Sequence, residues 1–245
     1  MKKVIYLYQH IPKCGGVSFI RTCRQWFPAL REKVGSYPDA ERIAEFARTR
    51  QDFDELAPDT FIYGHLINKG IRPFERYGDH IDAGRCRVIT IIRDPLERWI
   101  SAYYHRQRIG KPWPEPLKNW LQRGKNPLAD YFDVDERTWK ARMDRYFHVG
   151  TTESIQLTTD TFAKKVDRPP VPIPHLNISP RDGCELDAKT REEFRERHSL
   201  DYKIYRYATE RLKNDAARLG LAIRVFAFFL LQFLVDSADD LDLIF

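Results

Sequence analysis

Apolar residues in the first hundred positions gather into short runs, each closed by glycine, proline or charge. Residues 4–9 (V-I-Y-L-Y-Q) mix β-branched and aromatic side chains and stop ahead of Pro12 and two glycines, the pattern of a buried strand feeding a loop. Residues 60–63 (T-F-I-Y) form a second run, ending at Gly64-His65. Residues 88–92 (V-I-T-I-I) form a third, apolar on both faces as a central parallel strand is. A fourth strand is predicted over 146–149. The spacing predicts helices over 18–27, stopped by Pro28, over 94–108 and over 192–219, with helical character through the polar stretch 29–58. Asp94, Pro95 and Glu97 supply an acidic N-cap, a proline at the first helical position and a glutamate that closes the cap. Residues 111–125 hold three prolines and read as a surface excursion. Residues 167–183 hold five and read as a long loop.

Strands alternating with helices predict an α/β fold: an open parallel sheet with helices on both faces. Ligands of such sheets bind beyond the carboxyl ends of the strands. Lys13, His65 and Arg93 each follow a predicted strand. The side chains with chemistry therefore converge on one rim.

Charge sharpens this picture. The formal net charge is +6, and the last ten residues carry four acids and no base, so the remainder stands at +10. A basic body suits phosphates, sulfates or acidic polymers. The bases are not interleaved with aromatics in a recognisable nucleic-acid module, so no nucleic-acid partner is expected. Four cysteines (Cys14, Cys23, Cys86, Cys184) are widely spaced, with no C-x-x-C and no histidine pair at metal-ligand spacing. Reduced thiols, a cytoplasmic setting and no bound metal are the expectation. The chain opens directly on a strand pattern, which predicts no signal peptide. The apolar segment 225–235 falls short of the roughly twenty residues that span a bilayer. It reads as a terminal packing helix, with a membrane-surface or oligomer contact as the alternative.

The stretch H-I-P-K-C-G-G-V-S (10–18) is a strand-to-helix turn able to wrap an anion. Gly15 and Gly16 permit a tight bend and leave N–H groups uncovered, and the helix behind them offers its free N–H groups and positive dipole end. Lys13 adds a charge and Ser18 a hydroxyl. The ATP-binding P-loop needs its lysine after the glycines; here it comes before them, which argues against an NTPase. In I-I-R-D-P-L-E-R-W-I-S-A-Y-Y (91–104), Arg93 at a strand exit can fork onto a phosphate, and Ser101 lies two helical turns on. Arg98 reads as a salt-bridged structural arginine. Trp99 and Tyr103 read as core.

These two stretches together resemble the cofactor loops of sulfotransferases that use 3′-phosphoadenosine 5′-phosphosulfate (PAPS). The likeness is to the carbohydrate branch that includes heparan and chondroitin/uronyl enzymes. Val149 to Glu153 (V-G-T-T-E) and Pro174 to Ser179 (P-H-L-N-I-S) resemble later family segments. The resemblance implies a P-loop-like sulfotransferase domain over residues 1–220, with 221–245 as an apolar helix and acidic tail. It implies that Lys13 and the backbone of Cys14, Gly15, Gly16, Val17 and Ser18 hold the 5′-phosphosulfate. It assigns the 3′-phosphate to Arg93 and Ser101, and closure over the nucleotide to Thr152, Asn177 and Ser179. Many members have threonine where Cys14 and Val17 stand. Tyr63-Gly64-His65 falls where the uronyl 2-O branch has His-Gly-His, which makes His65 the base and Lys13 its catalytic companion. Other branches use glutamate, which leaves Glu153 open, and His10 is assigned to ordering the loop. The implied acceptor is a sugar hydroxyl, on an anionic glycan given the basic body; the Arg/Lys/Trp segment 106–125 reads as a solvated surface loop, with a grip on that acceptor as the alternative. A small-molecule kinase and a non-catalytic PAP-binding protein are the alternative readings.

Overall fold

Residues 3–32, 39–124, 126–174 and 186–221 are described by the structure, a computed structural model. In chain order the strands are β1 (Ile5–Gln9), β2 (Ala29–Arg31), β3 (Phe61–Gly64), β4 (Cys86–Ile92) and β5 (His148–Thr151). The helices are α1 (Gly16–Trp26), α2 (Ala40–Arg48), α3 (Pro73–Arg76), α4 (Gly78–Asp82), α5 (Pro95–Arg108), α6 (Leu117–Trp120), α7 (Pro127–Phe132), α8 (Trp139–Asp144), α9 (Ile155–Lys165), α10 (Ala188–Arg197) and α11 (Ser199–Arg218). The strands form one sheet in the order β2-β3-β1-β4-β5, and every pairing is parallel.

All five residues of β1 are buried, which explains their near-continuous apolar character. Tyr6, Tyr8, Phe61, Ile89 and Ile91 face one side and pack on Phe19 and Cys23 of α1 and Phe162 of α9. Ile5, Leu7 and Ile62 face the other, against Phe53 and Tyr77. On that side Val88 and Ile92 join Leu128, Met143 and Ile204 from α7, α8 and α11. Each aliphatic side chain buried so completely contributes roughly 2 kcal/mol.

The predicted strands are present with shifted ends. β4 begins two residues before the apolar run, and β5 lies two residues later than the predicted fourth strand. The stretch 29–58 is corrected: it opens with the edge strand β2, and among its described residues only 40–48 are helical. Three residues are too few for a periodic signal, and partnership with β3 decides them. The predicted helix over 192–219 is broken at His198, the C-cap of α10 and N-cap of α11. The cap at Asp94 forms as expected, its side chain accepting from the Glu97 N–H. Among the described residues no helix is long and apolar enough to cross a membrane. The segment 225–235, the acidic tail and Cys184 lie outside the described residues. Cys14, Cys23 and Cys86 are free and buried.

Candidate active site

β1 ends at Gln9, whose buried amide donates to the carbonyls of Leu66 (2.8 Å) and Tyr131 (3.1 Å) and accepts from the Tyr146 hydroxyl (2.5 Å). The loop that follows reverses through two left-handed residues, Lys13 (φ 69°) and Gly15 (φ 70°). For lysine this conformation costs on the order of 1 kcal/mol, and surrounding contacts must hold it. α1 then starts at Gly16 with no acidic residue in its first turn and no side-chain cap. Its first N–H groups and positive dipole end are thus left for an anion. A Cβ on Gly16 would overlap the His10 imidazole and come within 2.8 Å of the Tyr8 hydroxyl, so glycine is required there. Cys14 is buried, its thiol pushed up to about 12 by burial, and it contributes backbone to the loop. Ser18 is buried and Val17 is 50% exposed.

Three strand exits are tied together at this loop. Arg93, after β4, donates from Nη1 to the Lys13 carbonyl at 3.5 Å. Its Nη2 lies 3.5 Å from Glu97 Oε2 and its Nε 3.9 Å from Glu153 Oε1. That Nε is buried and makes no hydrogen bond among the described residues. Thr152, after β5, uses both its N–H (2.9 Å) and its hydroxyl (3.1 Å) to hold the Ile92 carbonyl. Its methyl lies 3.4 Å from where a Gly15 Cβ would stand. Glu153 accepts from the Asp94 N–H at 3.1 Å, so its carboxylate is occupied by the β4 exit. Ser101 is buried in α5. Asn177 and Ser179 lie outside the described residues.

Lys13 sits in a cationic setting. Burial lowers the pKa of its amine below the usual lysine value, and Arg108 and then Arg93 lower it further. Arg108 also donates to His105 Nδ1 at 3.1 Å. Burial, then Lys13 and Arg108, hold the His105 pKa below 6.5. Such a concentration of positive charge is stabilised by a polyanion and costly without one.

After β3 stands His65. Its ring stacks on that of His10 with centroids 4.4 Å apart, and its Nδ1 lies 3.0 Å from the His10 carbonyl oxygen. A carbonyl only accepts, so Nδ1 carries the proton and the lone pair of the neutral ring is on Nε2. Burial depresses the His65 pKa below 6.5, the His10 carbonyl partly offsets this, and Arg31 depresses it further. His10 is lowered to about 3, by burial first and then by His65, Arg31 and Lys13. Both imidazoles are therefore neutral near pH 7.

One sequence reading of this region is corrected. Arg98 is buried and structural, but among the described residues no carboxylate forms an ion pair with it: it donates to the Tyr131 hydroxyl at 2.7 Å and lies over that ring. Segment 106–125 consumes its own aromatics. Trp113 stacks on Trp120 (4.1 Å), which leans on Trp99 (4.9 Å), and Arg106 covers Trp113 at 4.0 Å. Trp99 and Tyr103 are core, as expected. Arg31, His105 and Arg108 were not legible as site residues. Arg31 depends on an unpredicted strand, and the other two on how far α5 leans over the loop.

Comparison with known proteins agrees with this architecture. The crystal structure of a sulfotransferase from Alicyclobacillus acidocaldarius superposes with a TM-score of 0.51 at 14% identity, covering 85% of this chain and 97% of that one. The fold is that of the sulfotransferases. Mouse sulfotransferase SULT7A1, solved in complex with PAP, aligns with a TM-score of 0.44 at 13% identity, over 83% of this chain and 67% of that one. Residues 65–167 match the sulfotransferase domain family model, a span that starts at His65 and includes Arg93, Ser101 and Thr152. No curated protein is matched by sequence.

Proposed function

We propose that this chain is a sulfotransferase that moves a sulfuryl group from PAPS to a hydroxyl of a carbohydrate. The observation that carries the reading is the junction of the left-handed Lys13 loop, the Arg93 guanidinium on its carbonyl and the fixed His65 ring on one sheet rim. The donor fits this arrangement in three ways. The uncapped start of α1 supplies N–H groups, the Arg93 Nε is buried and makes no hydrogen bond among the described residues, and Lys13 feels the charges of Arg108 and Arg93.

PAPS supplies an activated sulfuryl group whose S–O bond to the 5′-phosphate is the one broken. Lys13 and the N–H groups at 14–18 face the negative charge that develops on the departing phosphate oxygen and lower the barrier electrostatically. Arg93 and Ser101 hold the 3′-phosphate. His65 Nε2 accepts the acceptor's proton as the new O–S bond forms, and the depressed pKa keeps that nitrogen free at neutral pH. Holding donor, acceptor and base on one rim supplies much of the remaining acceleration. Thr152, with Asn177 and Ser179, closes over the nucleotide. Residues 1–220 act as one catalytic domain, with 221–245 appended. Cations already cradle the leaving group, so the reaction needs no metal.

The test combines PAP calorimetry with a screen of glycans and labelled PAPS in the presence of EDTA. PAP binding and EDTA-insensitive transfer to a sugar are expected. PAP binding with no transfer to any glycan would leave a nucleotide-binding protein without the proposed activity.

A further inference from the structure

Residue pairing across parallel strands projects partners to the same face of the sheet. Tyr8, Tyr63 and Arg31 are partners abreast on β1, β3 and β2. His10 and His65 follow two residues after Tyr8 and Tyr63 and stack with each other; His10 also lies over Tyr8 at 5.6 Å. Arg31 thus stands one pleat repeat, roughly 7 Å, before the two imidazoles on the outer edge of the row. The β2 backbone is held there: the Glu32 N–H donates to the Tyr63 carbonyl at 2.9 Å, and a Cβ at Gly64 would overlap the Glu32 carbonyl oxygen. Glu32 itself is anchored by the Tyr77 hydroxyl (2.5 Å) and by Arg76 (3.3 Å). Arg31 is exposed, and among the described residues no hydrogen bond or ion pair engages its guanidinium. Its charge reaches both histidines.

A guanidinium with no carboxylate partner among the described residues, on the sheet edge beside the proposed base, weakens that base. The arrangement is useful if the guanidinium meets an anion only when the acceptor binds. We propose that Arg31 reads the acceptor: it forks onto a carboxylate or sulfate ester carried by the sugar next to the hydroxyl that faces His65. This rests on the sulfuryl-transfer reading and names its substrate class, an anionic sugar. Lys13 and Arg93 belong to the donor side of the rim and Arg31 to the acceptor side, so the two can be separated by experiment.

The experiment uses the full chain and its Arg31→Gln and Arg31→Lys variants with three oligosaccharides: a hexuronate-containing one, its carboxyl-reduced counterpart and a neutral one bearing an O-sulfate. Acceptor affinity is read by calorimetry on the PAP complex and, where transfer occurs, from KM. The wild type should favour at least one anionic acceptor over the carboxyl-reduced one by roughly tenfold, as a charge-assisted fork supplies. Arg31→Gln should erase that ratio and Arg31→Lys should keep part of it, with PAP affinity unchanged in both. The preferred arm distinguishes a carboxylate from a sulfate ester. A wild type that binds PAP but treats the three alike, or a Gln variant that keeps the ratio, overturns the proposal alone. A wild type that does not bind PAP overturns the sulfuryl-transfer reading and this one with it.

Discussion

The Nδ1 of His65 faces the carbonyl oxygen of His10 at 3.0 Å while the two rings stack at 4.4 Å. One residue thereby sets both the tautomer and the orientation of the other. The catalytic prediction follows directly. His65→Ala should lower kcat by roughly 10²- to 10⁴-fold, the usual contribution of a positioned base, and leave PAP affinity intact. A near-normal rate in single-turnover assays would remove His65 from the chemistry.

The rate should fall on the acid side only below the ordinary histidine range. A base works when unprotonated, and burial with the nearby Arg31 charge shifts the His65 pKa down from 6.5. The kcat/KM profile should therefore rise with pH, with the midpoint of its acid limb below 6.5. Glu153→Gln should weaken PAP binding through Arg93 without moving that limb. If the limb disappears in the Gln variant, Glu153 is the base.

Gly16→Ala tests the crowding under His10. The added methyl overlaps the imidazole, so the loop must shift, at a cost of about 1–3 kcal/mol. Thermal melts should show the loss, and PAP affinity should fall with it. Adding His10→Ala removes most of the obstruction, so the double variant should be more stable than the two single losses predict. Simple additivity would mean that the two residues do not compete for space.

Lys13→Ala and Arg93→Ala should each weaken PAP binding by at least roughly tenfold, the effect of losing one charge-assisted contact to phosphate. In the wild type, PAP should raise the melting temperature because it binds the folded state alone. No stabilisation at millimolar PAP would count against the whole donor site.

Acidification should destabilise the fold ahead of ordinary carboxylate titration. His10 is lowered to about 3 and His198 to about 4, both chiefly by burial, and fully buried His148 is lowered as well. Below pH 6.5 the unfolded chain takes up protons that these folded-state rings refuse. Stability therefore declines from about pH 6.5 toward 4 and is fully present above that window. Asp201, raised to about 6 by burial, acts in the opposite direction as a single group. A melting temperature that is flat from pH 7 to 4.5 would contradict this.

Local pattern was enough for the central strands, the Asp94 cap and the lysine-glycine bend. Each rests on short-range chemistry: apolar runs that must be buried, a side chain that satisfies its own helix start, and glycine where the backbone must turn back. The convergence of Lys13, His65 and Arg93 followed from parallel topology alone. Tertiary structure decided everything that depends on partners distant in sequence. β2 exists because it pairs with β3, and without it Arg31 has no address. Arg98 found a tyrosine in place of an acid, and the tryptophans of 106–125 found one another. The state of His65 is fixed by a carbonyl fifty-five residues earlier in the chain. Periodicity encodes which face of an element is buried, but the atom each side chain meets is settled only when separate elements pack.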